Sequence, residues 1–310
     1  MGVETYEVGL ATASEQREAL ELSLTPLPAS ARGPLVETVA YGPSQALGPL
    51  SALVVARDGN GVAAACWAQP APGRSACLWP AIWRKKPADD SANQCESDMA
   101  QLASSVCDSA GVRITQALFE EPDDYRIEVL KSAGFQWIAE LEYLSCVVDP
   151  RATKPAQKLV YDPYEASQRE RLKRVLKATY EQTLDCPGLD GMRDMDDVLS
   201  GYQATGKHDP SMWHILVENG QDVGALLLAE HPGADQLELI YMGLVPSARG
   251  RGLGTEIVGR ALQVAAEVGA EQVVVAVDCA NDPARKAYQQ MGFAPWTRRT
   301  VLIRRPASLA

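Results

Sequence analysis

The 310-residue chain is 46% hydrophobic and 22% charged, with 24 Gly and 20 Pro, a profile that excludes a disordered, collagen-like or coiled-coil polypeptide. Its formal charge of −11 reflects 29 basic and 40 acidic side chains, split 12 to 20 in residues 1–155 and 17 to 20 in residues 156–310. With no basic cluster to neutralise phosphates, no nucleic-acid partner is expected.

No apolar run approaches the roughly 18–20 residues of a membrane helix, so no membrane association is expected. The opening MGVETYEVGL lacks the basic-then-apolar order of a secretory leader, which makes a cytoplasmic location the expectation. Seven cysteines form no CxxC pair, and three histidines form no HExxH, so neither a disulfide framework nor a metal site is expected.

Length suggests roughly two domains of about 150 residues each. The pattern predicts a strand at Tyr6–Leu10, helices at Ser14–Leu24 and Arg32–Tyr41, and strands at Leu53–Ala56, Val62–Ala68 and Ala76–Ile82. A helix at Cys95–Ala110, a strand at Arg113–Leu118, a helix at Asp123–Ser132 and a closing strand at Leu141–Val148 follow. Pro150 and Pro155 then mark a break, giving domains 1–150 and 156–310. Beyond the break the order repeats. Helices are predicted at Ser167–Thr179 and Met192–Tyr202, and strands at Trp213–Glu218, Asp222–Ala229 and Leu237–Val245. Next comes a helix from Thr255 to Val268, with Leu253, Ile257, Ala261, Val264 and Val268 at helical spacing. The apolar run Gln272–Val277 reads as a strand covered on both faces, and Asp282–Gln290 and Thr297–Arg304 as a final helix and strand. Both halves carry a Gly-Phe pair directly after a helix, at Gly134-Phe135 and Gly292-Phe293. The whole reads as a mixed α/β fold, a mostly antiparallel sheet flanked by helices, present twice.

The sharpest motif is Arg249-Gly250-Arg251-Gly252-Leu253-Gly254-Thr255, where a buried strand turns on glycines into a helix. Such a turn aims backbone N–H groups and the positive helix end at one anion. Arg249 and Arg251 are candidate charge-assisted donors to a pyrophosphate. Without GK[ST] it is no Walker loop, and it is misplaced for a dinucleotide fingerprint. A Gly-rich turn with two solvated arginines would look the same.

Those residues resemble the Q/R-x-x-G-x-G/A signature of the GNAT superfamily of acyl-CoA-dependent N-acyltransferases. The stretch Asn281-Asp282-Pro283-Ala284-Arg285-Lys286-Ala287-Tyr288, with Gly292-Phe293, is similar to that family's second block. The likeness is carried by residues 212–305; over 1–150 it rests on element order and the Gly-Phe pair. It implies two tandem GNAT-like domains, the first degenerate, as in double-GNAT proteins. It further implies that the backbone of Arg249, Gly250, Arg251, Gly252, Leu253, Gly254 and Thr255 cradles the pyrophosphate of acetyl-CoA. Main-chain groups of Leu244 and Val245 would pair with the pantetheine arm, and Asn281 and Arg285 would lie near the cofactor. Tyr288 occupies the place of a tyrosine that protonates the departing thiolate, and Glu238 that of a general base.

Acyl transfer to an amine needs a proton acceptor for the amine and a proton donor for the thiolate, and a carboxylate and a phenol can fill those roles. Read without the family, Tyr288 is also a packing residue of an amphipathic helix, and Glu238 an exposed strand carboxylate. The expectation is therefore an N-acetyltransferase using acetyl-CoA on a small-molecule amine in a ternary complex. The alternative is a non-catalytic acyl-CoA-binding module. The first half has no glycine between Arg74 and Ala110, and aligning the Gly-Phe pairs puts Leu130 opposite Tyr288. Its Trp67, Trp79 and Trp83 read as core.

Overall fold

A computed structural model of the protein describes residues 6–28, 32, 35, 36, 48, 50–87, 91–120, 123–149 and 158–309. Two compact units emerge, one of Met1–Trp137 with Thr300–Ala310 and one of Ile138–Arg299. The helix expected over Arg32–Tyr41 falls mostly outside the described residues. Among those residues, no helix is long and apolar enough to cross a membrane.

The first unit contains β1 (Glu7–Leu10), α1 (Gln16–Ser23), β2 (Leu53–Asp58), β3 (Gly61–Ala71), β4 (Ser75–Trp83), α2 (Ser91–Ser109), β5 (Ile114–Glu120) and α3 (Asp124–Ser132). Its strands lie in the order β1-β2-β3-β4-β5, antiparallel except for β4 with β5. β2 is apolar at consecutive positions because both its faces are covered. Val54 and Ala56 share a core with Met99 and Cys107, while Leu53 and Val55 share one with Leu20 and Trp67. Trp67 is wholly buried and stacks on Trp79, with ring centroids 6.3 Å apart. Trp83 donates to Glu96 Oε1 at 2.7 Å. The tryptophans thus belong to the packing of this unit.

The second unit begins within β6 (Gln136–Val147) and continues through β7 (Val160–Pro163), α4 (Arg169–Tyr180), α5 (Met195–Gln203), β8 (Trp213–Glu218), β9 (Gln221–His231) and β10 (Gln236–Leu244). After these come α6 (Leu253–Val268), β11 (Gln272–Asp278), α7 (Asp282–Gln290) and β12 (Ala294–Arg304), whose end from Thr300 counts with the first unit. The strand order is β6-β11-β10-β9-β8-β7, antiparallel except for β10 with β11. Each unit therefore has a single parallel pair at the equivalent place, among the described residues, which matches the repeated order in the sequence.

The edges of the units differ from a cut at 150. β6 pairs with β11 from Val147 opposite Gln272 to Leu141 opposite Asp278. An apolar strand such as β11 needs a partner along both edges, and β6 supplies the one that β10 does not. The stripe of α6 packs as expected at Leu253, Ile257, Ala261 and Val264, but Val268 is 43% exposed in the helix's last turn. α4 buries Leu172, Val175 and Leu176 in the same core.

Candidate active site

β10 and β11 run side by side only from Gln236–Glu238 opposite Gln272–Val274. Past that point β10 stays with β9 and β11 with β6, so the two strands part. A register shift between Leu239 and Tyr241, opposite Leu228 and Leu227, leaves Ile240 as an extra residue and bends β10 away. The gap is a cavity of about 540 Å³ walled by Leu239–Leu244 of β10, Val275–Val277 of β11, and the facing ends of α6 and α7.

Val245 N–H bonds to Val223 O at 2.9 Å. Hydrogen-bonded positions recur at every second residue of an antiparallel pair, so Gly243 and Tyr241 also face β9. Met242 and Leu244 are left with main-chain groups on the parted side. Leu244 thus lines the cavity from the parted side of β10. Val245 does not line the cavity, its amide being spent inside the sheet, and Met242 takes its place.

The glycine loop closes one end of this gap. Gly250 and Gly252 have φ of +70° and +79°, and Gly252 caps α6 in the left-handed region. A Cβ built on either would meet no protein atom within 4 Å, so the space before the loop is open. The first N–H groups of α6 lack intrahelical partners, and Leu253, Gly254 and Thr255 line the cavity. This loop fits an anion without help from its arginines.

Both arginine side chains are committed elsewhere. Arg249 donates through Nε to Leu244 O at 2.9 Å, through Nη1 to Gln182 O at 2.9 Å, and through Nη2 to Thr179 O and Glu181 O at 3.0 and 2.8 Å. It satisfies the carbonyls at the end of α4, a natural place for a cation. Arg251 forms a two-point pair with Glu218 at 2.8 and 2.6 Å. Beside the committed Arg249, the cavity wall carries Lys286 of α7, for which no ion pair is formed among the described residues. Its position in the second motif was the only sequence signal for it.

On α7, Asn281 Oδ1 accepts from Ala284 N at 3.3 Å, capping the helix while lining the cavity. Arg285 turns away, binding Glu142 at 3.0 Å, and is therefore a structural residue rather than a cofactor contact. Tyr288 lines the cavity, is 3% exposed and packs on Phe293 with ring centroids 5.5 Å apart. Burial, reinforced by the charge of Asp185, pushes its phenol far above the ordinary value. It holds its proton at neutral pH.

Glu238 lies upstream of the parting, where β10 still pairs with β11. Its Oε2 is 2.7 Å from His231 Nε2, and it lines neither this cavity nor its neighbour. That neighbour, of about 640 Å³, lies under α4 and α5 and shares Thr183, Asp185, Ile240 and Tyr241 with the first. Half-buried phenols line it. Tyr180 and Tyr202 hydroxyls are 2.8 Å apart, and the Tyr241 hydroxyl is 2.7 Å from Thr179 Oγ1. Asp185, at the junction, was not singled out from sequence, because an isolated aspartate in a Pro/Gly loop has no spacing to mark it.

Two strands that part after a short parallel pairing, with a glycine turn at one lip opening into a helix, define the acyl-CoA N-acyltransferase fold of the GNAT class. Residues 176–293 match the acetyltransferase (GNAT) family, so the second unit carries a domain of that family. Across the chain the structure is similar to a GCN5-related N-acetyltransferase from Sphaerobacter thermophilus, with a TM-score of 0.66 and 13% identity over 97% of this chain and 96% of that one. A tandem GNAT protein from the clavulanic acid biosynthesis pathway aligns with a TM-score of 0.51 and 16% identity over 97% and 98%. These likenesses establish a tandem GNAT fold. Shorter matches link the chain to mycothiol acetyltransferases. One from Beutenbergia cavernae is 37% identical over 90 residues, 28% of this chain and 30% of the relative. Another from Corynebacterium aurimucosum is 44% identical over 57 residues, 18% of this chain and 19% of the relative. The matched stretches thus span less than a third of each relative.

Proposed function

We propose that the protein is an N-acetyltransferase that moves an acetyl group from acetyl-CoA to the amine of a small molecule by direct attack in a ternary complex. The observation that carries this reading is the cavity itself. It joins main-chain groups of Met242 and Leu244 on the parted side of β10, an open glycine loop at the start of α6, and a protonated Tyr288. Acetyl-CoA, when bound, supplies the activated thioester. Backbone N–H groups of the loop and the start of α6 would hold its phosphates, helped by Lys286, and β10 would hold its arm as an added strand. Tyr288 would keep a proton ready for the sulfur. The adjoining cavity under α4 and α5 would seat the acceptor, while the first unit, whose α3 presents buried Leu130 at the equivalent of Tyr288, would bind no acyl-CoA.

The test is thiol release from acetyl-CoA with a panel of small amines, headed by the acceptor that mycothiol acetyltransferases acetylate. Calorimetry of CoA runs alongside. Binding of CoA together with amine-dependent thiol release is expected. Absence of CoA binding would sink the reading.

A further inference from the structure

We propose that Asp185 is the catalytic base that takes the acceptor's proton, an assignment that rests on the acetyltransferase reading and replaces Glu238 in that role. Asp185 stands on the wall shared by the two cavities, so it faces both the thioester's space and the amine's. Its placement is built by the chain rather than left to a loose loop. Asp185 Oδ1 accepts from Asp278 N at 2.9 Å, and Asp278 Oδ2 accepts from Cys186 N at 3.0 Å. Asp185 N in turn donates to Thr183 Oγ1 at 3.0 Å. These bonds clamp the loop to the end of β11. Gln182 and Cys186, both non-glycine, are held at φ of +52° and +46° on either side. Strain at such residues persists only where neighbours enforce it, and it concentrates at working sites.

Asp185 is open to solvent in the cavity yet crowded by protein on most sides, as befits a group at the bottom of an open cleft. Desolvation by those walls raises its carboxyl above the usual range, the Asp278 charge adds to this, and the Asp278 N–H and Asn281 side chain oppose it. Tyr180, Tyr241, Tyr288 and Cys186 are the other titratable groups that feel its charge, all with pKa values raised. In the reaction Asp185 takes one proton from the acceptor ammonium. The freed nitrogen lone pair forms the C–N bond to the acetyl carbon. The C–S bond breaks with its electron pair going to sulfur, and sulfur takes the Tyr288 proton. The second nitrogen proton then restores the phenol, while Asp185 returns its proton to solvent.

Asp185→Asn keeps an oxygen acceptor for Asp278 N–H, so a clamp alone would survive it. The experiment is steady-state thiol release by wild type, Asp185→Asn and Glu238→Gln across pH, with CoA calorimetry on each. Asp185→Asn should lower kcat by roughly 10²–10⁴-fold and remove the acidic limb of kcat/KM, with CoA affinity retained. Formate should partly restore Asp185→Ala, which a purely structural role does not allow. Wild-type turnover with an indifferent Asp185→Asn, or an acidic limb lost only in Glu238→Gln, overturns the assignment alone. CoA binding without thiol release from any amine overturns the acetyltransferase reading and this assignment together. If Asp185→Asn does not fold, carbon-13 titration of the wild-type Asp185 carboxyl decides, since a midpoint away from the acidic limb refutes the proposal.

Discussion

Arg285 Nε lies 3.0 Å from Glu142 Oε2, and Arg298 Nη2 reaches the other oxygen of that carboxylate at 2.8 Å. The Glu142 side chain is 2% exposed, so the helix that carries Tyr288 is tied to β6 through a carboxylate almost out of water.

The first prediction follows from this tie. Burial raises the Glu142 pKa, but the two guanidiniums outweigh it and hold the group below its ordinary 4.5. A depressed folded pKa stabilises the native state above the unfolded value, and that stability is lost as pH falls through the folded value. Arg285→Ala should cost about 1–3 kcal/mol at neutral pH, less than a fully orphaned charge because Arg298 remains. Denaturant melts should show the gap to wild type closing as pH drops below 4.5. A gap that is independent of pH would mean the loss is one of packing.

A second prediction concerns the phosphate cradle. A Cβ at Gly254 would meet only Ala287 Cβ, at 3.8 Å, and its φ is outside the left-handed region, so Gly254→Glu should fold. Its carboxylate would face the anion site at the start of α6, lowering CoA affinity at least about tenfold, or ~1.4 kcal/mol. Lys286→Ala should weaken binding less and flatten its salt dependence. Calorimetry that finds affinity undiminished in both variants would remove the cofactor site from this cavity.

Tyr288→Phe keeps the ring on Phe293 and removes only the hydroxyl, so CoA binding should survive while kcat falls roughly 10²–10⁴-fold. The donor must be protonated to act, and burial raises its pKa above the ordinary 10.0. No basic limb from Tyr288 should therefore appear below that pH in the wild-type profile. Near-normal turnover in the variant would mean that another group or solvent protonates the sulfur.

The last prediction is one CoA per chain. In the first unit Leu130 is 1% exposed and part of the core, and no glycine lies between Arg74 and Ala110 to form a cradle after β4. Isothermal titration should give a single site. Two equivalent sites would overturn the division of labour between the units.

The sequence alone determined the features that arise within a few residues of one another. The stripe of α6 follows from a 3.6-residue period, the left-handed Gly250 and Gly252 from the need for positive φ, and the repeat from two matched orders of elements. Tyr288 and Asn281 were legible because they sit at fixed offsets on one short helix. The tertiary structure decided where each polar group spends its hydrogen bonds. Arg249 looks like a phosphate ligand in its motif, yet its guanidinium serves carbonyls at Thr179, Glu181 and Gln182, nearly seventy residues earlier. Arg285 is drawn to Glu142 across a strand that the chain had already used before its Pro-rich break. Asp185 acquires its place only because Asp278, far along the chain, clamps it between two cavities. Local pattern reports backbone conformation and burial, which neighbours in sequence set. The pairing of charges and the walls of a cavity depend on which distant segments the fold brings together.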